Sequence, residues 1–275
     1  MQHESIDGVV LRVRDYADHD RYLSVLTAER GRITILSKGG RSLKSSQTAI
    51  SQMYTYGNFE YYRRGDFNIL KGGSPVQHFY ALSTDIDRLN LAAYLCELTS
   101  ELTDEGEEAG DMLRLLLNSL YAISRDLYPQ ELIKGAFEMR AMSISGYMPE
   151  LGACSVCQAE QSDPFYLHVM NGALLCSDCL KKQSGIGKRN PDTAYDDIRE
   201  CETLVTLTPA VRAAMYYCLH APLERLFSFS LEDAEDRTDF AKAAQTYTLS
   251  HLGRGFDSLN FYHEMRAIKL AHKGT

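Results

Sequence analysis

Two Cys-x-x-Cys pairs constrain this sequence more than any other feature. They are Cys154–Cys157 and Cys176–Cys179, with residues 158–175 between them. Two thiolates separated by two residues can hold one ion from a tight turn, and two such turns complete the tetrahedral sulphur cage of a structural zinc site. The intervening sequence reads as a small hairpin that turns at Asn171-Gly172. The pattern therefore predicts an inserted zinc knuckle or ribbon over residues 151–185, with one structural Zn²⁺ per chain.

The other cysteines indicate a reducing compartment. Seven cysteines in 275 residues are too few for a secreted disulfide scaffold, and the number is odd. Cys96, Cys201 and Cys218 fall in helical patterns and are expected to be small buried residues. The first residues lack the order of a signal peptide, and no apolar run approaches the roughly 18 residues of a membrane span. We therefore predict a cytoplasmic protein without a membrane segment.

The first 78 residues have the period-two pattern of β-strands. Short candidate strands lie near residues 9–14, 22–27, 32–37, 54–62 and 67–70. In the first of them Val9, Leu11 and Val13 are expected to form an aliphatic face, and Arg12 and Arg14 the opposite face. Five short strands suit a small closed barrel, because closure removes exposed edges. We therefore predict a five-stranded OB-fold barrel over residues 1–78.

Beyond residue 78 the apolar residues recur at helical spacing. Leu91, Leu95, Leu98 and Leu102 are one example of this periodicity. We expect a mostly α-helical domain over residues 79–150 and 186–275, which the zinc-binding insertion interrupts. The predicted fold class is therefore α+β and multidomain.

The charge distribution marks the N-terminal region either as a nucleic-acid interface or as a solvated surface with uneven charge. The chain has a net charge of −8, but residues 1–80 hold 11 basic and 8 acidic residues, against 18 and 29 in the remainder. Cations that follow phosphates, together with aromatic faces that stack on bases, are the two devices that hold single-stranded nucleic acid. Phe59 and Tyr61 are expected to be core, since half of any barrel strand faces inward. The predicted DNA-binding residues are Arg12, Arg14, Lys38, Arg41, Lys44, Arg63 and Arg64.

The sequence lacks the motifs of common catalytic sites. It has no Gly-rich phosphate loop and no G-x-S-x-G elbow. His263-Glu264 begins like a metalloprotease motif, but the second histidine is missing. We therefore predict a binding protein rather than an enzyme. A zinc hydrolase remains an alternative from another class.

Several stretches along the chain together resemble the RecO family of bacterial recombination mediators. The matching stretches, in the order of the family, are residues 8–16, Lys38-Gly39-Gly40-Arg41, residues 136–140, residues 146–151 running into Cys154, and residues 254–259. The resemblance implies an N-terminal OB-fold, a helical body and a zinc knuckle. It also implies a protein of DNA repair that binds single- and double-stranded DNA and anneals complementary strands. An RNA-binding or translation-associated protein with an OB-fold and a zinc ribbon is the alternative.

The resemblance also implies protein partners. RecO-like proteins act with RecR to help RecA load onto DNA coated with the single-strand-binding protein, SSB, and they contact the acidic, hydrophobic-ended C-terminal tail of SSB. Such a tail needs a cation for its carboxylate and an apolar slot. Lys134, Phe137 and Arg140 lie at i, i+3 and i+6 of a predicted helix and are candidates for this contact. Their alternative role is plain packing and solvation.

Overall fold

The computed structural model describes residues 3–16, 18–42, 45–185 and 203–273. The chain divides into two compact units: Met1–Leu127 together with Phe256–Thr275, and Tyr128–Gly255. The predicted boundary at residue 78 does not coincide with this division. Helices that come before and after the second unit in the chain belong to the same unit as the barrel. The Cys-x-x-Cys pairs lie in the second unit.

Among the described residues, the strands of the first unit close into an OB-fold barrel, as predicted. Their order around the barrel is β1-β2-β3-β5-β4, with β3 and β5 parallel and the other neighbours antiparallel. The interior is aliphatic and aromatic and includes Leu23, Ile35, Phe59 and Tyr61. Phe59 and Tyr61 are therefore core residues, as expected. The strands are β1 (His3–Tyr16), β2 (Asp20–Thr27), β3 (Gly31–Ser37), β4 (Thr55–Arg64) and β5 (Phe67–His78).

A β-bulge in β1 corrects the predicted faces of this strand. Val10 pairs with Val25 and the next pair is Arg12 with Ser24, so Leu11 is an extra residue. The inward alternation consequently shifts by one position, and Val10 and Val13 pack in the barrel interior. The prediction that Val9, Leu11 and Val13 share one face is therefore wrong. Arg12 and Arg14 still share the exposed outer face.

Three helices complete the first unit: α1 (Ile86–Glu101), α2 (Gly110–Arg125) and α7 (Asp257–Lys273). The β2–β3 turn is bonded to the α1–α2 loop. The Arg32 N–H donates to the Asp104 carbonyl at 3.2 Å, and the Gly106 N–H donates to the Arg30 carbonyl at 3.0 Å. The Ala109 N–H adds a bond to the Ala28 carbonyl at 2.8 Å. These backbone bonds explain why the barrel and these helices form one unit.

Gly31 in this turn gives a direct test of the contact between the β2–β3 turn and the α1–α2 loop. Its φ is +58°, and a Cβ added there would lie 2.0 Å from the Asp104 carbonyl oxygen. We expect Gly31→Ala to lower the free energy of unfolding by about 3 kcal/mol, from left-handed strain plus the clash. Gly65 has the same φ of +58° with nothing within 4 Å, so Gly65→Ala is the matched control and should cost only about 1 kcal/mol. If urea unfolding shows the same loss of unfolding free energy for Gly31→Ala and Gly65→Ala, this contact is contradicted.

The second unit combines helices with a small sheet. The helices are α3 (Gln130–Ile144), α4 (Ser177–Gly185), α5 (Pro209–His220) and α6 (Ala234–Leu252). The strands are β6 (Glu150–Cys154), β7 (Phe165–His168), β8 (Ala173–Cys176) and β9 (Leu204–Leu207), in the order β6-β8-β7-β9. The predicted hairpin is present as β7 and β8, with Gly172 at a φ of +61° in its turn.

Strand β9 lies in the part of the chain for which the sequence predicts a helical domain, so it departs from the prediction. It pairs antiparallel with β7, so the sheet of the knuckle extends past residue 185. Its four residues are too short for a periodic signal, and only the pairing with β7 makes them a strand. No helix within the described part of the chain has the length and hydropathy of a membrane span.

Candidate functional site

The paired cysteines form a cluster that could hold a metal ion. The sulphur atoms of Cys154, Cys157, Cys176 and Cys179 all lie within 4.8 Å of one another, and no other such group is found among the described residues. Cys154 ends β6, Cys176 ends β8, and Cys179 lies in the first turn of α4. The strand ends and the helix start therefore bring together two pairs that are distant in sequence.

Backbone donors point at these sulphur atoms. The Cys176 N–H donates to Cys154 Sγ at 3.3 Å, and the Cys179 N–H donates to Cys176 Sγ at 3.4 Å. Burial raises the pKa of the Cys154 thiol, but hydrogen bonds from Cys157, Cys176 and Val156 outweigh it and lower the pKa to about 6. A lowered thiol pKa favours the thiolate, which is the form that binds metal, at Cys154. Hydrogen bonds with Cys157 and Cys176 instead raise the pKa of the Cys179 thiol to about 12, so metal binding there releases a proton. Four sulphur ligands fit a closed tetrahedral site.

The remaining cysteines lie away from this cluster. Cys96 and Cys218 are buried, as expected, and burial raises the pKa of both thiols. Cys201 lies outside the described residues.

The second candidate site is the outer face of the barrel across β1, β2 and β3. Arg12 pairs with Ser24, which pairs with Thr34, and these side chains form one row. The next row is Arg14, Tyr22 and Leu36. Directly paired residues of antiparallel strands point to the same side. This is the face that OB-folds use for oligonucleotides, together with the β1–β2 and β4–β5 loops.

A groove of about 550 Å³ runs along this face. Its volume lies in the range of small-ligand sites. Its lining is cationic, aromatic and hydroxyl-bearing, with a single carboxylate, and consists of Arg12, Arg14, Tyr22, Ser24, Arg32, Thr34, Leu36, Asp66, Phe67, Asn68 and Ser100. The structure therefore confines two of the predicted basic residues, Arg12 and Arg14, to one concave site.

Arg32 is a groove residue that was not among the predicted DNA-binding residues. Its Nε donates to the Thr103 carbonyl at 3.1 Å, which fixes the guanidinium beside the α1–α2 loop. Its alternation with Ile33 and Ile35, which face the barrel interior, was the available signal.

Aromatic side chains accompany the arginines. The Arg14 guanidinium carbon lies 5.6 Å from the centroid of the Tyr22 ring, within cation–π range. The Tyr16 ring lies 5.0 Å from the same ring and is half exposed. Phe67 lies at the start of β5 and is 54% exposed. Large apolar rings in contact with water beside arginines are able to stack on bases.

The other predicted DNA-binding residues lie around the groove or outside the described residues. Arg63 and Arg64 are exposed at the end of β4, beside the β4–β5 loop. The Arg41 N–H donates to the His19 carbonyl at 3.1 Å, which places Arg41 next to the β1–β2 loop. Lys38 is exposed directly after β3. Lys44 lies outside the described residues.

The predicted peptide-binding residues on α3 require a correction. Lys134 is 2% exposed and Phe137 is fully buried, so neither can reach a peptide at the surface. Lys134 Nζ pairs with Glu138 Oε1 at 2.8 Å and also donates to the Ala241 carbonyl at 3.4 Å, because α6 packs over this side of α3. Arg140 donates from Nε to the Cys218 carbonyl at 2.7 Å. These side chains hold the second unit together.

This chain is similar to proteins of DNA repair. Residues 1–79 match the family model described as Recombination protein O N terminal, and residues 83–195 match Recombination protein O C terminal. A protein named DNA repair protein RecO from Acetivibrio thermocellus is 26% identical over 270 residues, which cover 98% of this chain and all of the relative. Proteins of the same name from Alkaliphilus metalliredigens and Desulforamulus reducens are 32% and 30% identical, with 70% and 73% of their lengths covered.

Proposed function

Because this chain belongs to the RecO family of DNA repair proteins, we propose that it is a non-enzymatic recombination mediator. It binds single- and double-stranded DNA, anneals complementary strands and, with RecR, helps RecA load onto SSB-coated single strands during gap and double-strand-break repair. The observation that carries this proposal is the groove of arginine and aromatic side chains on the outer face of the OB-fold barrel. Its place of action is the cytoplasm, at the nucleoid.

Charge neutralisation supplies the mechanism of annealing. Two complementary strands repel each other through their phosphates, and a protein that neutralises phosphates on both lowers the barrier to their encounter. The Arg12, Arg14 and Arg32 guanidinium groups would hold the strand in the groove. Arg41, Lys38, Arg63 and Arg64 would hold phosphates at its margins. The carboxylates elsewhere in this acidic chain confine DNA to this face. Because binding there neutralises several phosphates and releases their counterions, it should fall steeply with salt.

The cysteine cluster supplies a fold-stabilising metal site. Cys154, Cys157, Cys176 and Cys179 would hold Zn²⁺, which contributes folding free energy and no open coordination position. The proposed protein partners are RecR, the SSB tail and, indirectly, RecA. Lys134 and Phe137 have no place in that proposal, since both are buried.

Strand annealing tests the proposal. Two complementary DNA strands would be coated with the cognate SSB, the protein added without ATP, and duplex formation followed at rising salt. We expect fast annealing that is lost at high salt and reduced in Arg41→Ala/Lys44→Ala. If the protein neither anneals these strands nor binds them bare, yet binds structured RNA, the alternative of an RNA-binding protein would replace this one.

A further inference from the structure

The groove on the barrel contains two features that cation–phosphate contacts leave unused. The first is Phe67, whose ring is 54% exposed at the mouth of the β4–β5 loop. The second is Ser24, whose Oγ is buried and has no hydrogen-bond partner among the described residues. A large apolar ring costs free energy where it faces water, and a buried hydroxyl costs free energy where it lacks a hydrogen-bond partner. A ligand that covers the ring and bonds the hydroxyl recovers both. Together they indicate a ligand with an aromatic face and a polar group.

We propose that this groove takes one unpaired nucleotide of a DNA strand, with its base stacked on Phe67, and that duplex DNA cannot use it. The proposal rests on the proposed function and assigns a specificity to its site. The Ser24 hydroxyl donates to the nucleotide, and the guanidinium groups of Arg12, Arg14 and Arg32 hold the flanking phosphates. Phe67 is thereby the residue that distinguishes unpaired from paired strands.

Local structure keeps Phe67 in place for such stacking. Phe67 pairs with Arg64 across the β4–β5 hairpin, and the next residue, Asn68, donates from Nδ2 to the Thr34 carbonyl at 3.0 Å. In the same hairpin, Arg63 Nε donates to the Gly65 carbonyl at 3.3 Å. The ring is therefore carried by the first residue of β5, next to a residue bonded to β3, and little conformational freedom is lost when a base covers it.

Base pairing removes the unpaired base that the groove binds. In a duplex, neighbouring bases cover both faces of each base, and turning one out costs a few kcal/mol. A strand held through Phe67 keeps its other bases free to pair. Once pairing reaches the stacked base, its return to the duplex removes the contact with Phe67. The groove therefore binds the substrates of annealing more tightly than the product, which favours release of the duplex.

A strand without bases distinguishes the contribution of base stacking to the affinity from the contribution of phosphate charge. Binding would be measured by fluorescence anisotropy for an oligothymidylate, for an abasic strand of equal length and charge, and for a duplex. The wild-type protein should bind the oligothymidylate about 5- to 140-fold more tightly than the abasic strand, since a stacked base contributes about 1–3 kcal/mol. Phe67→Ala should remove this difference and leave the abasic strand, the duplex and the salt dependence unchanged. Phe261→Ala is the matched control, because Phe261 is 47% exposed on α7 and does not line the groove.

The outcomes distinguish this inference from the proposed function. The stacking proposal is overturned, and the mediator proposal stands, if the wild-type protein anneals DNA but binds the oligothymidylate and the abasic strand with equal affinity. The same holds if Phe67→Ala weakens the binding of all ligands alike. If the wild-type protein binds none of the DNA ligands, both fail. If Phe67→Ala weakens only the base-bearing single strand, Phe67 is the specificity residue.

Discussion

Replacing Cys154 by serine is expected to abolish metal binding and to unfold the knuckle of the second unit. The four sulphur atoms lie within 4.8 Å of one another, so a Zn²⁺ ion bound there would join the ends of β6 and β8 and the start of α4. Binding of structural zinc contributes roughly 10–16 kcal/mol of apparent free energy in small zinc domains, and much of that is folding free energy. We expect a melting temperature at least about 10 °C lower, and the same loss for Cys176→Ser.

Metal analysis and thermal unfolding would check this result together. The purified wild-type protein should contain one zinc per chain, and a strong chelator should lower its melting temperature to that of Cys154→Ser. Val156→Ser is the matched control, because Val156 is exposed between the first two cysteines and keeps all four sulphur atoms. A metal-free wild-type protein with an unchanged melting temperature in Cys154→Ser would contradict the structural role.

The triple variant Arg12→Ala/Arg14→Ala/Arg32→Ala is expected to lose about 100-fold in affinity for single-stranded DNA. These guanidinium groups line one groove, and a charge-assisted contact to phosphate contributes on the order of 1 kcal/mol each in water-exposed surroundings. Because each contact to a single strand releases about 0.7 counterion, the slope of log K against log salt should also fall in magnitude by about 2. Annealing of SSB-coated strands should slow accordingly.

Titrations at several salt concentrations would measure both quantities. Arg125→Ala is the control, since Arg125 ends α2, stacks over Tyr121 and does not line the groove. It should leave the affinity and the slope unchanged. A triple variant with an unchanged slope would place the phosphates elsewhere, and Arg41→Ala/Lys44→Ala would then be the next variant to titrate.

Features set by short-range sequence pattern could be predicted from the sequence. The OB-fold strands follow from period-two alternation and turn residues, and the metal cluster follows from two Cys-x-x-Cys spacings that each form one tight turn. Arg12 and Arg14 share a face because alternation along a strand is a local property.

Features decided by packing could not be predicted in this way. The bulge at Leu11 depends on pairing with β2, and it lets Val10 and Val13, three residues apart, both face the barrel interior. A Lys–Glu pair at i and i+4 normally lies in solvent, but α6 covers Lys134 and Glu138. Arg32 and Phe67 join Arg12 and Arg14 in one groove only through the pairing of β1, β2, β3 and β5. The sequence thus determined which chemical groups and which barrel strands are present, and the tertiary structure decided which of them face one another, because residues distant in the chain meet only through packing and strand register.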